Sequence, residues 1–62
     1  MKIAKSKTKE GLTKLVNEFY FTNNCIITDS DEVVNTKLNK TLGIVKLVRG
    51  AFEYHAFPPV KN

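Results

Sequence analysis

Few residues in this chain are equipped for covalent chemistry. There is one histidine, His55, one cysteine, Cys25, and two serines, Ser6 and Ser30, in 62 positions. Nucleophilic catalysis needs a base against the nucleophile and a third group to orient that base. His55 would have to serve Cys25, Ser6 or Ser30, and no spacing brings any of them to it. Cys25 opens a short apolar stretch with no basic residue nearby to hold a thiolate, so it reads as a small buried hydrophobe. Asp29-Ser30-Asp31-Glu32 places acids at alternate positions, as a calcium loop begins. Val33 then stands where the third ligand belongs, and the turn glycine and closing glutamate are missing. A hydrated turn is expected there. No Cys/His spacing suits zinc, and Gly11, Gly43 and Gly50 stand apart instead of forming a phosphate cradle. The expectation is a protein with no catalytic residue, no metal and no cofactor.

Charge is the more informative chemistry. The net charge is +4, unevenly placed. Residues 1–9 carry Lys2, Lys5, Lys7 and Lys9 with no acid. Residues 10–36 set Lys14 against Glu10, Glu18, Asp29, Asp31 and Glu32. Residues 37–62 return to basic, with Lys37, Lys40, Lys46, Arg49 and Lys61 against Glu53. Such segregation steers anionic partners toward the ends of the chain. Only one of the ten basic residues is Arg, which disfavours bidentate phosphate or base recognition.

These side chains have to be carried by a small fold. A chain near 60 residues buries only about 60% of its unfolded surface, enough for one thin core. The composition, 42% hydrophobic and 26% charged, is that of a globular protein. A single Cys excludes an internal disulfide and points to a reducing, cytoplasmic setting. The longest apolar run is three residues, too short for a membrane span or a signal-peptide core. The starting Met and the finished strand pattern favour a free-standing chain over a fragment. Abundant Lys, Asn and Ile, residues with AT-rich codons, point toward an accessory protein of the phage or mobile-element kind.

The spacing predicts a helix from Thr8 to Tyr20. Leu12, Leu15, Val16 and Phe19 fall on one stripe, with Thr8 as N-cap and Glu10 in the first turn. Asn23-Asn24 is expected to end it, because Asn tolerates the left-handed conformation of a C-cap. Period-two segments follow: Cys25–Thr28, Glu32–Thr36, Thr41–Val48 and Ala51–Phe57. With Arg49-Gly50 as the turn, Val48 faces Ala51, Leu47 faces Phe52, Lys46 faces Glu53, Val45 faces Tyr54 and Ile44 faces His55. One face then holds Val45, Leu47, Phe52 and Tyr54. The other holds Ile44, Lys46, Val48, Ala51, Glu53 and His55. A slip of one residue would spoil both faces. Pro58-Pro59 ends the last strand.

The expected fold is α+β: one N-terminal amphipathic helix packed on a small antiparallel β-meander of three to four strands. It is read as one domain over residues 1–62, with 1–7 a basic arm and 58–62 an extended tail. Leu12, Leu15, Val16 and Phe19 should pack on Val45, Leu47, Phe52 and Tyr54, so that Phe19→Ala or Phe52→Ala would cost ~3–5 kcal/mol. One helix covers one face of a sheet. The second face must be covered by residues Lys2-Ile3-Ala4, by a second copy or by a partner.

Function follows from that uncovered face. The leading reading is a non-enzymatic protein-interaction module, an accessory or inhibitory protein or a homodimer. It would use Ile44, Lys46, Val48 and Phe57, or a free strand edge. The alternative is low-specificity nucleic-acid binding through Lys2, Lys5, Lys7 and Lys9 of the arm and Arg49 of the hairpin, with affinity that falls as salt rises.

Overall fold

The computed structural model describes residues 2–58; the residues read as the far end of the tail, 59–62, lie outside them. The element order is β1 (Lys2–Ser6), α1 (Lys9–Phe19), β2 (Cys25–Ile27), β3 (Glu32–Asn35), β4 (Lys40–Val48) and β5 (Ala51–Ala56). The architecture is α+β, with one helix and an antiparallel sheet of five strands in the order β1-β5-β4-β3-β2. The expected count of three to four strands is corrected by β1. The first residues form no free arm and do not fold over the sheet; they add to its edge beside β5. Period-two burial is weak in a lysine-rich segment of five residues, which is why pattern alone missed it.

Helix α1 starts where the sequence places it. Thr8 is extended and its hydroxyl accepts from the Gly11 N–H at 3.0 Å. This satisfies one of the donors that a helix N-terminus leaves unpaired. The end comes earlier than Asn23-Asn24. Tyr20 is the C-cap, and Phe21 takes the left-handed conformation at φ 54°. Phe21 N–H donates to Glu18 O and Thr22 N–H to Asn17 O. Those two bonds form a Schellman cap with phenylalanine in the position that glycine usually fills.

The last hairpin has the expected register from Gly43↔Ala56 through Lys46↔Glu53 to Val48↔Ala51. Arg49 and Gly50 both have positive φ, 53° and 80°, the type I′ geometry that matches strand twist. Asp31 at φ 60° turns β2 into β3, with the Thr28 hydroxyl accepting from Glu32 N–H. Asn35 closes the next turn, its side-chain oxygen accepting from the Lys37 and Leu38 N–H groups. Two bulges interrupt the ladders. Ile3 is the extra residue against β5 and Leu42 the extra residue against β3; both pack against the core.

The core is narrower than the helix stripe suggests. Leu12, Val16, Cys25, Val33, Val45 and Tyr54 are buried. Leu15 and Phe19, expected inside, are 39% and 51% exposed, and Leu47 is 66% exposed. The physical reason is curvature. The helix touches both edge strands, β1 and β2, as well as β5, so the sheet curls round it and only the Leu12–Val16 line meets the floor. Leu47 sits on the part of the β4–β5 hairpin next to the turn. Gly43 lets the sheet close on the Tyr54 ring: a methyl there would run into the His55 carbonyl and lie 2.8 Å from Ala56 Cα. The Tyr54 hydroxyl meets that of Tyr20 at 2.7 Å. Burial, then this hydrogen bond, pushes the Tyr54 ionisation far above its ordinary value. No helix among the described residues is long and apolar enough to cross a membrane.

Candidate functional site

The sheet has a helix side and an open side. Alternation along β4 and β5 sends Gly43, Val45, Tyr54 and Phe52 toward α1 and leaves Ile44, Lys46, Glu53 and His55 on the other surface. The cross-strand pairs place three rows on that open face. One row runs Ile26–Val34–Thr41. A second runs Glu32–Ile44–His55–Lys2, and a third Lys46–Glu53–Lys5. Isoleucine and valine thus sit beside a cluster of charges, with no element of the described fold packed over them.

Glu53 is the centre of the electrostatics. His55 Nε2 lies 2.9 Å from Glu53 Oε1, with the ring N–H donating, and Lys2 Nζ is 3.8 Å from Oε2. The hydrogen bond from His55 is the largest influence holding the Glu53 carboxyl below its usual range. The fields of Lys2 and Lys5 add to it, while burial pulls the other way. A carboxylate orienting an imidazole resembles two-thirds of a triad, but the third member is elsewhere. Ser6 and Cys25 face the helix side and Ser30 is in the β2–β3 turn. Burial raises the Cys25 thiol above its ordinary pKa, which keeps it a poor nucleophile. Among the described residues, no three His, Cys, Asp or Glu side chains converge as metal ligands would.

The residues singled out in the sequence divide between two regions. Ile44, Lys46 and Val48 alternate along β4 on the open face, with Ile44 half-buried, Lys46 exposed and Val48 37% exposed. Lys2 and Lys5 join them there from β1. Phe57 is apart, one residue past β5, its N–H donating to Leu42 O. Lys7 lies in the bend before the helix and Arg49 at the tip of the hairpin. Lys9 is turned to the other side of the molecule. Its Nζ pairs with Asp31 at 2.8 Å and lies 5.7 Å above the Phe52 ring. The two sets of sites, one apolar and one basic, therefore meet only through Lys2, Lys5 and Lys46.

Two helix residues belong on this list that periodicity assigned to the core. Leu15 and Phe19 lie one and two turns beyond Gly11 on a single flank of α1, and Gly11 stands against Ser6 of β1. Gly11 was the available signal, since a glycine inside a helix marks close approach to a neighbour. A shallow depression of about 700 Å³ sits elsewhere, over Lys14, Glu18, Phe21 and Asn23 at the helix C-terminus. It contains none of the open-face residues. A scan against protein-family models found no match, and neither did searches of curated proteins and of solved structures.

Proposed function

We propose that this chain is a non-enzymatic interaction module, accessory or inhibitory in role, that presents the open side of its sheet to an acidic protein partner. The observation that carries this reading is the setting of Ile44. It lies between the apolar pair Ile26–Val34 and the charged row Lys46–Glu53–Lys5, on a surface that no helix covers. A half-apolar sheet face rimmed by lysines suits a protein surface with an apolar centre and acidic rim. The lone buried thiol fits a reducing, cytoplasmic setting.

Affinity capture from a nuclease-treated lysate of the native cell tests this reading, with wild-type protein beside Ile44→Glu. A protein retained by the first and lost by the second, at unchanged melting temperature, supports it. Equal capture by both overturns it.

The convergence of Lys2, Lys5 and Lys46 on one face favours a second reading, weak phosphate binding. Three such contacts would give a slope of roughly −2 to −3 in log affinity against log salt. Lys9→Gln would leave it unchanged, because Lys9 points elsewhere and is paired with Asp31.

A further inference from the structure

The two flanks of α1 meet the two edges of the sheet differently. On one flank, Asn17 reaches β2, donating from Nδ2 to Cys25 O and accepting at Oδ1 from Cys25 N–H. On the opposite flank, Gly11 approaches Ser6 of β1, and helical spacing sets Leu15 and Phe19, 39% and 51% exposed, on that same flank one and two turns on. The helix runs antiparallel to β1. Eight residues of helix rise about 12 Å, close to the span of β1. Leu15 and Phe19 therefore border β1 over most of its length. Among the described residues, β1 has a neighbouring strand, β5, on one side only. Hydrogen bonding alternates along an antiparallel pair. With Val48 and Ala51 flanking a two-residue turn, Tyr54 and Phe52 direct their backbone groups at Ala4 and Ser6. The Lys5 N–H and C=O then face outward.

We propose that the groove between β1 and the Leu15–Phe19 flank takes an extended peptide segment, alternating acidic and apolar residues, as a sixth strand. This rests on the reading of the chain as a protein-binding module and adds to the open face a second place of contact, with the chemical class of segment that would fill it. Main-chain bonds to Lys5 supply affinity, and alternate side chains supply choice. One set of the peptide's side chains falls on Leu15 and Phe19. The other set continues the rows on the open face. Across the sheet the third row reads Lys46, Glu53, Lys5, alternating in sign. The next position outward calls for an acid. The second row ends at Lys2 and calls for the same. Opposite charges facing each other across strands are favourable and like charges are not.

That charge pattern selects among the possible occupants. A second copy pairing β1 with β1 would set lysines against lysines. The residues after Pro58 bring Lys61 and no acid. Lysines on an edge strand guard against self-pairing, and the same two residues accept a strand of opposite charge.

Titration of the isotope-labelled full chain, followed by NMR, tests the proposal. The probes are a capped octapeptide alternating valine with glutamate and its counterpart alternating valine with lysine. The glutamate peptide is expected to slow exchange of the Lys5 amide and to shift Leu15 and Phe19. The lysine peptide should bind at least roughly tenfold more weakly. Phe19→Glu, at a half-exposed position, should abolish the shifts while the spectrum of the free chain stays that of a folded protein, and Leu15→Glu gives the same answer should Phe19→Glu unfold. Leu38→Ser, at an exposed position in the turn between β3 and β4 and away from β1, should bind the peptide like the wild type. Four results would overturn the groove: equal binding of both peptides, no binding at millimolar concentration, an unprotected Lys5 amide with shifts gathered on Val34 and Ile44, or a β1-mediated dimer in light scattering. The third of these would leave the open-face reading standing, while loss of capture specificity for Ile44→Glu tests that reading separately.

Discussion

At the β2 edge, one asparagine side chain occupies the backbone groups of Cys25, tying strand to helix through two hydrogen bonds, and a third to Thr13 O steadies it within the helix. At the β1 edge, the helix offers leucine and phenylalanine carbon where the other flank offers an amide. Both edges adjoin the same helix and both strands are short. The difference shows how a small sheet treats its exposed ladders: one is capped from within, the other is guarded by lysines and a bulge at Ile3. At Cys25 the backbone groups that a further strand would need are already taken. A charged edge discriminates by sign.

The comparison breaks most completely if the shared core is removed. Leu12→Ala, at a fully buried position, should cost about 2–5 kcal/mol, which a fold of this size barely has. Denaturant melting should find both edges lost together. Asn17→Ala separates them. It leaves the Cys25 backbone groups without their partner, at a cost of about 1–3 kcal/mol. The rate of Cys25 alkylation should rise with it, as β2 opens ahead of global unfolding.

Phe21→Gly is expected to stabilise the protein by about 0.5–1 kcal/mol. The ring is 97% exposed and its backbone is left-handed, where glycine carries no strain. On the β1 flank, Leu15→Gln, at a position 39% exposed, should cost about 1 kcal/mol, well below a fully buried leucine. Phe19→Ala, at a half-exposed position, should cost less than the ~3–5 kcal/mol of a buried phenylalanine. A large loss at either position would mean that the β1 side is packed as tightly as the β2 side.

The mildest test is pH. The Glu53 carboxyl is held below its ordinary 4.5 in the fold, so its contribution is present above that value and is lost as pH falls through the lower folded one. Glu53→Gln should flatten that part of the acid limb in a stability–pH profile. An unchanged profile would remove Glu53 from the charge row that leads to the β1 edge.

Much of this arrangement was legible in residue types. Thr8 and the Leu12–Val16 line announced the helix, and the hairpin register was readable because every pair from Val48↔Ala51 to Ile44↔His55 agreed with one partition of faces. The edge strand was not legible. Lys2, Lys5 and Lys7 read as a hydrated arm because β1 draws its pairing from Tyr54 and Phe52, some fifty residues away, and local sequence has no access to that. Phe21 in a glycine position misled the helix end for a related reason: the cap is held by backbone bonds to Asn17 and Glu18, which any side chain leaves intact.

Along the β4–β5 hairpin the order of side chains alone determined which residues share a face, because a period of two admits one partition and a one-residue slip reverses it; the bulges at Ile3 and Leu42 break that partition elsewhere. That order also determined the sign of the charge at each end of the chain. Which apolar residues are covered was a decision of the tertiary structure. Curling brought both sheet edges to the helix and left room for Leu12 and Val16, but turned Leu15 and Phe19 outward beside β1. Amphipathicity sets the width of an apolar stripe; the curvature of the partner surface sets how much of that width it touches.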